Sequence, residues 1–418
     1  MRICVLGAGV VGITSAYYLA KAGHEVVLVD RNGAPGQETS FANGGQLSYS
    51  YVAPLAAPGV AQHILDWIFG RDSALKLTPR FDPWQWRWLI NFMRASRAPV
   101  FYRSIVELSG LAYLSRDLLH DLVSRERLDF NFVRSGKLVV HREAGALEGA
   151  RKLVDMQSHL GADQRVLDRD ACVTLEPSLA HIAGDLVGGV YTPSEDAGDC
   201  AHFCLELDRV LATLPAVTRL YHHRIGELVR EKGEIKAVIT NRGPVEADLF
   251  VVAAGLESRD VLRPLGVHLP LYPLKGYSLT VPVEQDRAAP RMSVTDAKRK
   301  IVYARLGAYE RIAAMVDLGA RDASVAPARL DDLKAKVRAT FPALGSLERA
   351  TVWSGLRPAT AQGKPIVSAT PMRNLYVNAG HGALGFTLAC GSAKLIADMI
   401  GGKETAIATA PFELGAVF

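Results

Sequence analysis

The sequence predicts an α/β protein in which a Rossmann-type nucleotide-binding domain carries an inserted cap domain of antiparallel sheet and helices. Three observations predict this fold class. A strand, a glycine-rich turn, a helix and a second strand follow one another within the first thirty residues. A second glycine-rich turn precedes an apolar helix near the end of the chain. Between them, residues 271–317 alternate apolar and polar residues, as strands of a separate sheet do.

The first thirty residues carry the fingerprint of a dinucleotide-binding βαβ unit. After the apolar run 1–6, three glycines form G-x-G-x-x-G, which permits a tight turn, close approach of the backbone to a pyrophosphate, and close packing of helix on strand. The helix N-terminus offers free N–H groups to the phosphates, and an aspartate ending the second strand can accept a hydrogen bond from a ribose hydroxyl. The predicted ligand is an adenine dinucleotide. Its predicted contacts here are Gly7, Gly9, Val10, Val11, Gly12, Asp30 and Arg31.

The segment 31–50 is polar, rich in glycine and without clear periodicity. A segment of this kind directly after a nucleotide-binding unit usually folds over the ligand, and a solvated loop is the alternative. Hydroxyl, amide and glycine residues in it can contact a diphosphate or a ring. The candidates are Thr39, Ser40, Asn43, Gly44, Gly45 and Gln46.

The middle of the chain predicts a helical region followed by a return to the nucleotide domain. Residues 60–125 have helical spacing, and residues 130–142 read as a hairpin with its turn at Ser135–Gly136. Asp199 is a plausible N-cap of the next helix. The apolar run 249–253 then leads into Ala254–Gly255, a small-residue turn that we expect to pass close to the cofactor.

The C-terminal glycine turn supplies a second set of cofactor contacts. A helix beginning near Leu384 would aim its N-terminus at a flavin ring and stabilise the anionic reduced form. His381 either contacts the ring or the substrate, or is structural. The predicted backbone contacts are Gly380, Gly382, Ala383, Leu384 and Gly385.

This layout makes the nucleotide domain discontinuous. We assign it residues 1–50, 191–270 and 345–418, and we assign the cap domain residues 51–190 and 271–344. Nicotinamide-dependent dehydrogenases usually keep their cofactor unit contiguous, whereas the extended FAD molecule touches several segments. The layout therefore favours FAD.

Composition bounds the partners. The chain has 418 residues, of which 49% are hydrophobic and 22% charged, and its net charge is +5. This mild balance, without a long basic run, argues against nucleic acid. None of the five cysteines forms C-x-x-C or a zinc-ligand spacing, so no metal site is predicted.

The chain resembles bacterial D-amino-acid dehydrogenases, within the wider class of D-amino-acid oxidase and glycine oxidase. The matching segments include "ETSFANGGQLS", "YPLKGYSLT", "WSGLRPATAQGKPIV" and "NAGHGALGFTLACGS", spread over nearly the whole chain. The resemblance implies FAD, oxidation of a D-amino acid to the imino acid, and delivery of electrons to a respiratory quinone. It also implies a cytoplasmic location in a bacterium. Peripheral contact with the inner membrane, through the tryptophan-rich stretch 84–93, stays open against aromatic packing in the cap.

Arg357 is the strongest catalytic candidate. A guanidinium matches a carboxylate through two parallel hydrogen bonds, which a lysine cannot do. Within the resemblance, its position in "GLRP" matches the arginine that holds the substrate carboxylate. A structural arginine is the alternative.

Alternation along two strands suggests further pocket residues. In "KIVYARLG", Ile301, Tyr303 and Arg305 share one strand face, and in "LKGYS" Lys275 and Tyr277 do the same. We expect Tyr303, Arg305 and Tyr277 to line the substrate pocket, with cross-strand pairing as the alternative.

No dedicated catalytic base is evident, and none is required if the substrate binds with a neutral amine and transfers its α-hydrogen as hydride. Departures from the family pattern at Tyr49, Leu55 and Ala313–Ala314 leave the choice of substrate open among D-alanine, bulkier D-amino acids and secondary amines. Two other functions remain open. One is an oxygen-using amine oxidase of the same fold, of the glycine, sarcosine or D-hydroxyproline type. The other is a non-catalytic flavin electron-transfer subunit.

Overall fold

The computed structural model describes residues 1–70 and 74–418. Their strands form two large sheets and two small ones. In chain order the strands are β1 (Arg2–Leu6), β2 (Glu25–Val29), β3 (Gln46–Leu47), β4 (Leu75–Leu77), β5 (Lys137–His141), β6 (Arg165–Asp168), β7 (Gly188–Thr192), β8 (Asp196–Ala197), β9 (Val217–Leu220), β10 (Ile225–Glu231), β11 (Glu234–Thr240), β12 (Gly243–Glu246), β13 (Leu249–Val252), β14 (Tyr272–Pro282), β15 (Ser293–Asp296), β16 (Ile301–Leu306), β17 (Tyr309–Leu318), β18 (Thr351–Ala359), β19 (Ile366–Ala369) and β20 (Leu375–Ala379). The α-helices are α1 (Val10–Lys21), α2 (Ile64–Phe69), α3 (Pro83–Ala95), α4 (Ala98–Glu126), α5 (Ala144–Ser158), α6 (Arg169–Leu175), α7 (Cys200–Ala212), α8 (Ser258–Leu262), α9 (Pro327–Thr340) and α10 (Gly385–Ile400).

The first large sheet is the nucleotide-binding sheet, with strand order β19-β20-β13-β1-β2-β9. Its strands are parallel except for β19, which pairs antiparallel with β20 at one edge. The carboxyl ends of parallel strands meet at one edge of a sheet, which is where ligands bind in open α/β folds. The turns that follow β1, β13 and β20 therefore converge there, although they lie far apart in the sequence.

Helices α1, α4, α7 and α10 cover this sheet with one continuous apolar core. The stretch Gly382–Ile400, which contains α10, is long and apolar enough to cross a membrane. However, 67% of its most apolar part is buried inside the protein. That burial is typical of a helix in a protein core, and α10 packs against α1 and α4. The Asp199 carboxylate caps α7 by accepting hydrogen bonds from the N–H groups of Ala201 and His202, as expected from the sequence.

The second large sheet has the order β18-β14-β17-β16-β15-β5-β7-β6, with β4 beside the end of β17. All neighbours are antiparallel except β15 with β5 and β17 with β4. The segment 345–418, assigned to the nucleotide domain from the sequence, thus contributes β18 to this sheet, and the boundary at 191 falls within β7. A strand's own pattern does not show which sheet it will join.

The hairpin predicted over residues 130–142 does not form. β5 pairs with β7 and β15, and Val133 instead bridges Ala197. Gly136 has a φ of +71°, so it bends the chain into β5 without reversing it onto its neighbour. Local alternation predicted the strand β5 correctly but not its pairing, because its partners β7 and β15 are distant in the sequence.

The nine-stranded sheet has two contrasting faces. Its inner face is turned towards the loop 39–46 of the nucleotide domain. The hydroxyl of Ser278 donates to the carbonyl of Ala42, and the guanidinium of Arg311 donates to the carbonyl of Asn43. The outer face packs against α9 and the segment that follows it. Its buried members include Tyr277, Leu279, Ile301, Tyr303, Ile312, Leu333, Val337 and Phe341.

Candidate active site

The N-terminal glycine turn is as compact as its sequence pattern predicts. Gly7 has a φ of +106°, and a Cβ atom there would lie 2.7 Å from the carbonyl oxygen of Ala253. A Cβ on Gly12 would overlap the carbonyl oxygen of Gly7. The turn therefore closes directly against the end of β13 and against the first turn of α1. Ala254, which we expect to pass close to the cofactor, lies beside the glycine turn, since its Cα lies 2.9 Å from the position of a Gly7 Cβ.

The polar residues around this turn are engaged with the protein itself. The Asp30 carboxylate accepts hydrogen bonds from the N–H groups of Ala8 (2.7 Å) and Asn32 (2.8 Å). The Ser40 hydroxyl accepts a bond from the N–H of Val10 at 3.0 Å. Arg31 forms ion pairs with two exposed carboxylates, those of Glu38 and Glu257. These contacts fix the rim of the cleft, while Val11 and Gly12 lie in the first turn of α1, where N–H groups have no intrahelical acceptor.

The loop 39–46 is pinned to the inner face of the nine-stranded sheet. The Thr39 hydroxyl donates to the carbonyl of Leu356 at 2.9 Å. A Cβ on Gly44 would lie 3.2 Å from Val302, and Gly45 has a φ of +67° and packs on Leu306. This segment therefore forms the contact between the two large sheets and is not a freely solvated loop.

Two amide residues of this loop serve its own conformation. The Asn43 side chain accepts a hydrogen bond from the N–H of Gly45. The Gln46 amide donates to the carbonyl of Tyr303 at 2.9 Å and more weakly to that of Val294. Both residues were predicted to contact the cofactor with polar side chains. In the structure these side chains hold the loop in place, because a backbone N–H of the loop and backbone carbonyls of β15 and β16 lie within reach.

The C-terminal glycine turn lies beside the end of β18. Ala359 and His381 form an antiparallel bridge, and a Cβ on Gly382 would lie 3.7 Å from the Cβ of Ala359. Gly380 and Gly382 have φ values of +84° and +56°, a conformation that favours glycine. A short 3₁₀ turn over Gly382–Leu384, which contains Ala383, leads into α10. The helix thus begins at Gly385, one residue from its predicted start, with its positive end at the same sheet edge as α1.

Arg357 projects from β18 on the inner face, where its guanidinium lies over Gly276. It is partly buried and donates one hydrogen bond, from Nη1 to the carbonyl of Met315 at 3.2 Å. Within the described residues, no carboxylate lies at ion-pair distance from it. The Asp317 carboxylate, its nearest electrostatic partner, is already bonded to Tyr277 and Arg329. The guanidinium is therefore available to an anion from outside the chain.

The backbone of β17 orients the Arg357 guanidinium, and burial lowers its pKa; both bear on how it would bind a ligand. Met315 sits in a β-bulge of β17 with a φ of +66°, and its carbonyl is thereby aimed at Arg357. Burial lowers the pKa of Arg357 to about 10, and the negative charge of Asp317 opposes that shift. Arg357 is consequently still protonated at neutral pH. Among the described residues it donates one hydrogen bond, and a bound carboxylate would compensate its charge.

The other three predicted pocket residues lie on the opposite face of the sheet. Tyr303 is fully buried and packs edge-to-face on Phe341 at 4.8 Å. Arg305 pairs with Asp286 and with the carbonyl of Gly307. The Tyr277 hydroxyl donates to Asp317, on the side where the Lys275 ammonium also lies. Strand alternation predicted correctly that residues share a face, but the face chosen was the one that α9 covers.

His381 also points away from the cleft. Its ring is buried, and Nε2 is 2.9 Å from the Ser392 hydroxyl within α10. Burial lowers the pKa of His381 to about 3, so the ring is neutral at physiological pH. Of the two roles considered from the sequence, the structure favours the structural one.

Arg311 was missed by the sequence analysis. Its side chain is buried and donates to three groups: the Thr280 hydroxyl (2.8 Å), the carbonyl of Asn43 (2.9 Å) and the Asp199 carboxylate (3.4 Å). It therefore joins the inner face to the loop 39–46 and to the N-cap of α7. The available signal was a single arginine in the otherwise small and apolar run "RIAAM".

A buried pair beside this loop was missed as well. The Lys137 ammonium donates to the Ser48 hydroxyl at 2.8 Å and lies 4.2 Å from the ring centre of Tyr51. The Glu195 carboxylate accepts from the N–H of Ser50. Burial lowers the pKa of Lys137 and raises that of Glu195, and their mutual attraction opposes both shifts. The pair fixes the chain that continues from the predicted nucleotide loop.

The residues at this sheet edge fit FAD. Gly7 and Gly12 leave no room for a side chain, whereas a Cβ on Gly9 would meet only the Ser40 Oγ at 3.5 Å and one on Gly255 would meet nothing within 4 Å. Two helix N-termini, of α1 and α10, point to the same edge and can face the diphosphate and the flavin ring. Arg357 lies two residues before Ala359, which bridges His381 in the turn that leads into α10.

Comparisons with known proteins agree with this geometry. The model of a family described as FAD dependent oxidoreductase matches residues 2–399. A protein of Ralstonia nicotianae named D-amino acid dehydrogenase 2 is 46% identical, covering 99% of this chain and 100% of that relative. A protein of the same name from Pseudomonas aeruginosa is 45% identical, covering 98% and 97%. Glycine oxidases from Geobacillus kaustophilus and Bacillus cereus share the fold, with TM-scores of 0.77 and 0.76 at 21% and 20% identity and at least 98% coverage of each chain.

Proposed function

Since the chain belongs to the FAD-dependent oxidoreductase family and is an oxidoreductase that uses FAD, we propose that it oxidises D-amino acids and passes the electrons to a quinone. The products are the imino acid, which water hydrolyses to the 2-oxo acid and ammonia, and the quinol. The observation that carries this proposal is the unpaired Arg357 guanidinium at the edge where the glycine turns converge. The names of the relatives support the D-configuration of the substrate.

Arg357 would bind the substrate carboxylate through two charge-assisted hydrogen bonds. The bulged carbonyl of Met315 accepts a hydrogen bond from the guanidinium, and Gly276 leaves space for it. A carboxylate fixed at this point places the neighbouring α-carbon within the cleft, and this positioning is the main contribution of the chain to the rate.

FAD bound at this edge would supply the hydride acceptor for the α-hydrogen of the substrate. The positive end of α10 would stabilise the negative charge that results. His381 supplies no base, because its ring is bonded to Ser392 inside the core. The amine must therefore lose its proton to solvent before hydride transfer, and activity should rise with pH until the substrate amine is neutral.

An anaerobic titration tests the proposal. The purified holoenzyme is mixed with D- and L-amino acids, glycine and sarcosine while the flavin absorbance is followed. Bleaching by D-amino acids and not by their L-enantiomers is expected, with slow recovery in air and fast recovery with a quinone. Fast recovery in air would show an oxidase instead. A flavin that no amine bleaches would refute amine oxidation.

We further propose that the protein rests on the inner face of the bacterial membrane, where its quinone would be dissolved. Helices α2, α3 and α4 expose large apolar side chains: Leu65, Phe69, Ile90, Tyr102 and Val106. Three exposed arginines lie nearby: Arg94 on α3, Arg97 between α3 and α4, and Arg103 on α4. In the described part of the chain, none of these arginines pairs with a carboxylate. Apolar side chains with free cations nearby suit an anionic lipid surface.

Vesicle flotation tests this contact. Wild type should float with vesicles that contain anionic lipid at low salt, and a variant in which Leu65, Phe69 and Ile90 are replaced by serine should remain in the dense fraction. Recovery of wild type in the dense fraction at every salt concentration would eliminate the membrane contact, while leaving the amine chemistry untouched.

A further inference from the structure

A cavity of about 160 Å³ lies between α3, the segment before β14 and the last residues of the chain. It is separate from the cleft at which Arg357 stands. Its walls include Trp84, Trp88, His268 and Leu271. The volume is close to that of an engineered protein cavity that holds a benzene ring, about 150 Å³. A single six-membered ring can therefore enter it, and any substituents on the ring would extend from its open mouth.

The aromatic walls of this cavity are held rigid. Trp84 stacks on His268 with their ring centres 6.1 Å apart, and the Arg259 guanidinium lies 5.7 Å from the Trp84 ring centre. Trp88 stacks on Phe92 at 5.1 Å. Such walls favour a flat, weakly polar ligand, because they offer a large contact area at little cost in side-chain entropy.

Two polar groups at the cavity can donate hydrogen bonds to oxygen atoms of a ligand. Arg87 lines the cavity and is exposed, and its guanidinium has no hydrogen-bond or ion-pair partner within the described residues. Asn91 accepts a bond from Arg94 through its oxygen, which leaves its NH₂ group as a donor. A planar ring with carbonyl oxygens satisfies this combination of aromatic walls and hydrogen-bond donors.

The inner wall of the cavity touches the glycine turn at which the flavin ring is expected. The Trp88 indole donates to the carbonyl of Ala359 at 2.9 Å, and Ala359 pairs with His381 in that turn. Leu271 packs on Gly380, since a Cβ there would lie 2.9 Å from its Cδ2. One layer of residues thus separates the cavity from the turn. On its outer side, α3 also carries Ile90 of the proposed lipid contact.

We propose that this cavity is the binding site for the ring of a quinone that reoxidises the enzyme. The inference rests on the proposed function, which requires an acceptor other than the amino-acid site. The quinone gains two electrons and two protons and leaves as quinol. The reduced cofactor supplies both electrons and one proton and returns to FAD, and solvent at the mouth supplies the second proton. Arg87 and Asn91 would donate hydrogen bonds to the carbonyl oxygens of the quinone. They would bind either one oxygen each or together the oxygen nearer the mouth of the cavity.

Binding of ubiquinone with a single isoprene unit to the lipid-free holoenzyme tests the site. Titration is followed by quenching of tryptophan fluorescence. Trp84→Ala and Arg87→Met should each raise the Kd by tenfold or more. Arg87 is exposed, so its replacement does not threaten folding. The matched control is Trp86→Ala, which removes an exposed indole of the same helix that does not line the cavity, and its Kd should stay within twofold of wild type.

Reoxidation provides the second readout and separates this inference from the proposed function. Each protein is reduced anaerobically with dithionite, so that no amino acid is needed, and is then mixed rapidly with the same quinone. The rate at limiting quinone should fall with Trp84→Ala and Arg87→Met by the factor seen in the Kd. Equal Kd values and equal rates in all four proteins would overturn the site. Failure of every D-amino acid to bleach the flavin would overturn the proposed function. The quinone affinities and reoxidation rates would still test the cavity, because dithionite and not an amino acid reduces the protein.

Discussion

The two faces of the nine-stranded sheet are built from alternate residues of the same strands, yet they differ in what their polar groups do. On the inner face, Arg311 and Ser278 reach across to the nucleotide domain, and Arg357 has no carboxylate partner in the described part of the chain. On the outer face, the polar groups of Tyr277 and Arg305 are paired within the cap. In this sheet, a charged side chain that has no ion-pair partner and lies beside small residues indicates the binding face. The mere presence of aromatic and basic residues on a face does not.

The largest effect should come from the arginines of the two faces. Arg357→Met should raise KM for D-amino acids about 100-fold or more, because truncating one member of a buried, hydrogen-bonded charge pair costs about 2–5 kcal/mol. FAD should remain bound. Arg305→Met, on the outer face, should leave KM within about threefold. Steady-state kinetics and the flavin spectrum of both variants check this. Similar KM values for the two would erase the functional difference between the faces.

The contrast between the two faces also shows which parts of the fold and of the candidate site could be predicted from the sequence. The order of strand, glycine turn, helix and strand in the first thirty residues and the start of α10 were predictable, because glycine spacing and apolar runs determine them locally. The contacts of Asp30 and Ala254–Gly255 with the cofactor stay predictions. Tyr303 and Tyr277 were placed in the pocket because alternation assigns residues to faces without showing which face α9 will cover. The contacts of Arg311 and Lys137 depend on partners at least 31 residues away in the sequence, so no local pattern could reveal them.

Arg311 tests whether the inner face also holds the nucleotide loop. Arg311→Met removes three hydrogen bonds and leaves the Asp199 carboxylate without its buried cation. We expect the free energy of unfolding to fall by about 3–5 kcal/mol and FAD to bind more weakly, since the loop 39–46 loses its anchor. Arg311→Lys should recover only part of this, because an ammonium cannot make the three directed bonds. Denaturant unfolding and FAD titration of the apoprotein measure both effects. Full retention of FAD affinity would mean that the loop is held by its other contacts alone.

His381 gives the same contrast within one turn, whose backbone faces the cleft while the histidine ring faces the core. Burial lowers its pKa to about 3, so between that value and the unfolded value of 6.5 the unfolded chain binds more protons than the folded one. Stability from this group is therefore present above pH 6.5 and is lost as pH falls, by about 2 kcal/mol between pH 6.5 and pH 5. His381→Gln should keep a hydrogen bond to Ser392 and lose this dependence. Unfolding of both FAD-saturated proteins across that range checks it, and parallel pH profiles would contradict a buried neutral ring.

The smallest effect compares two neighbouring residues of β14 that face opposite ways. Tyr277→Phe removes the hydroxyl that donates to Asp317 on the outer face, and Ser278→Ala removes the hydroxyl that donates to Ala42 on the inner face. Each loss should lower the free energy of unfolding by about 1 kcal/mol, because each breaks a single buried hydrogen bond. The two should differ in function. Ser278→Ala should weaken FAD binding, since the bond it removes ends on the nucleotide loop, whereas Tyr277→Phe should change neither FAD affinity nor KM. If Tyr277→Phe raised KM while Ser278→Ala left FAD binding intact, the assignment of the two faces would be reversed.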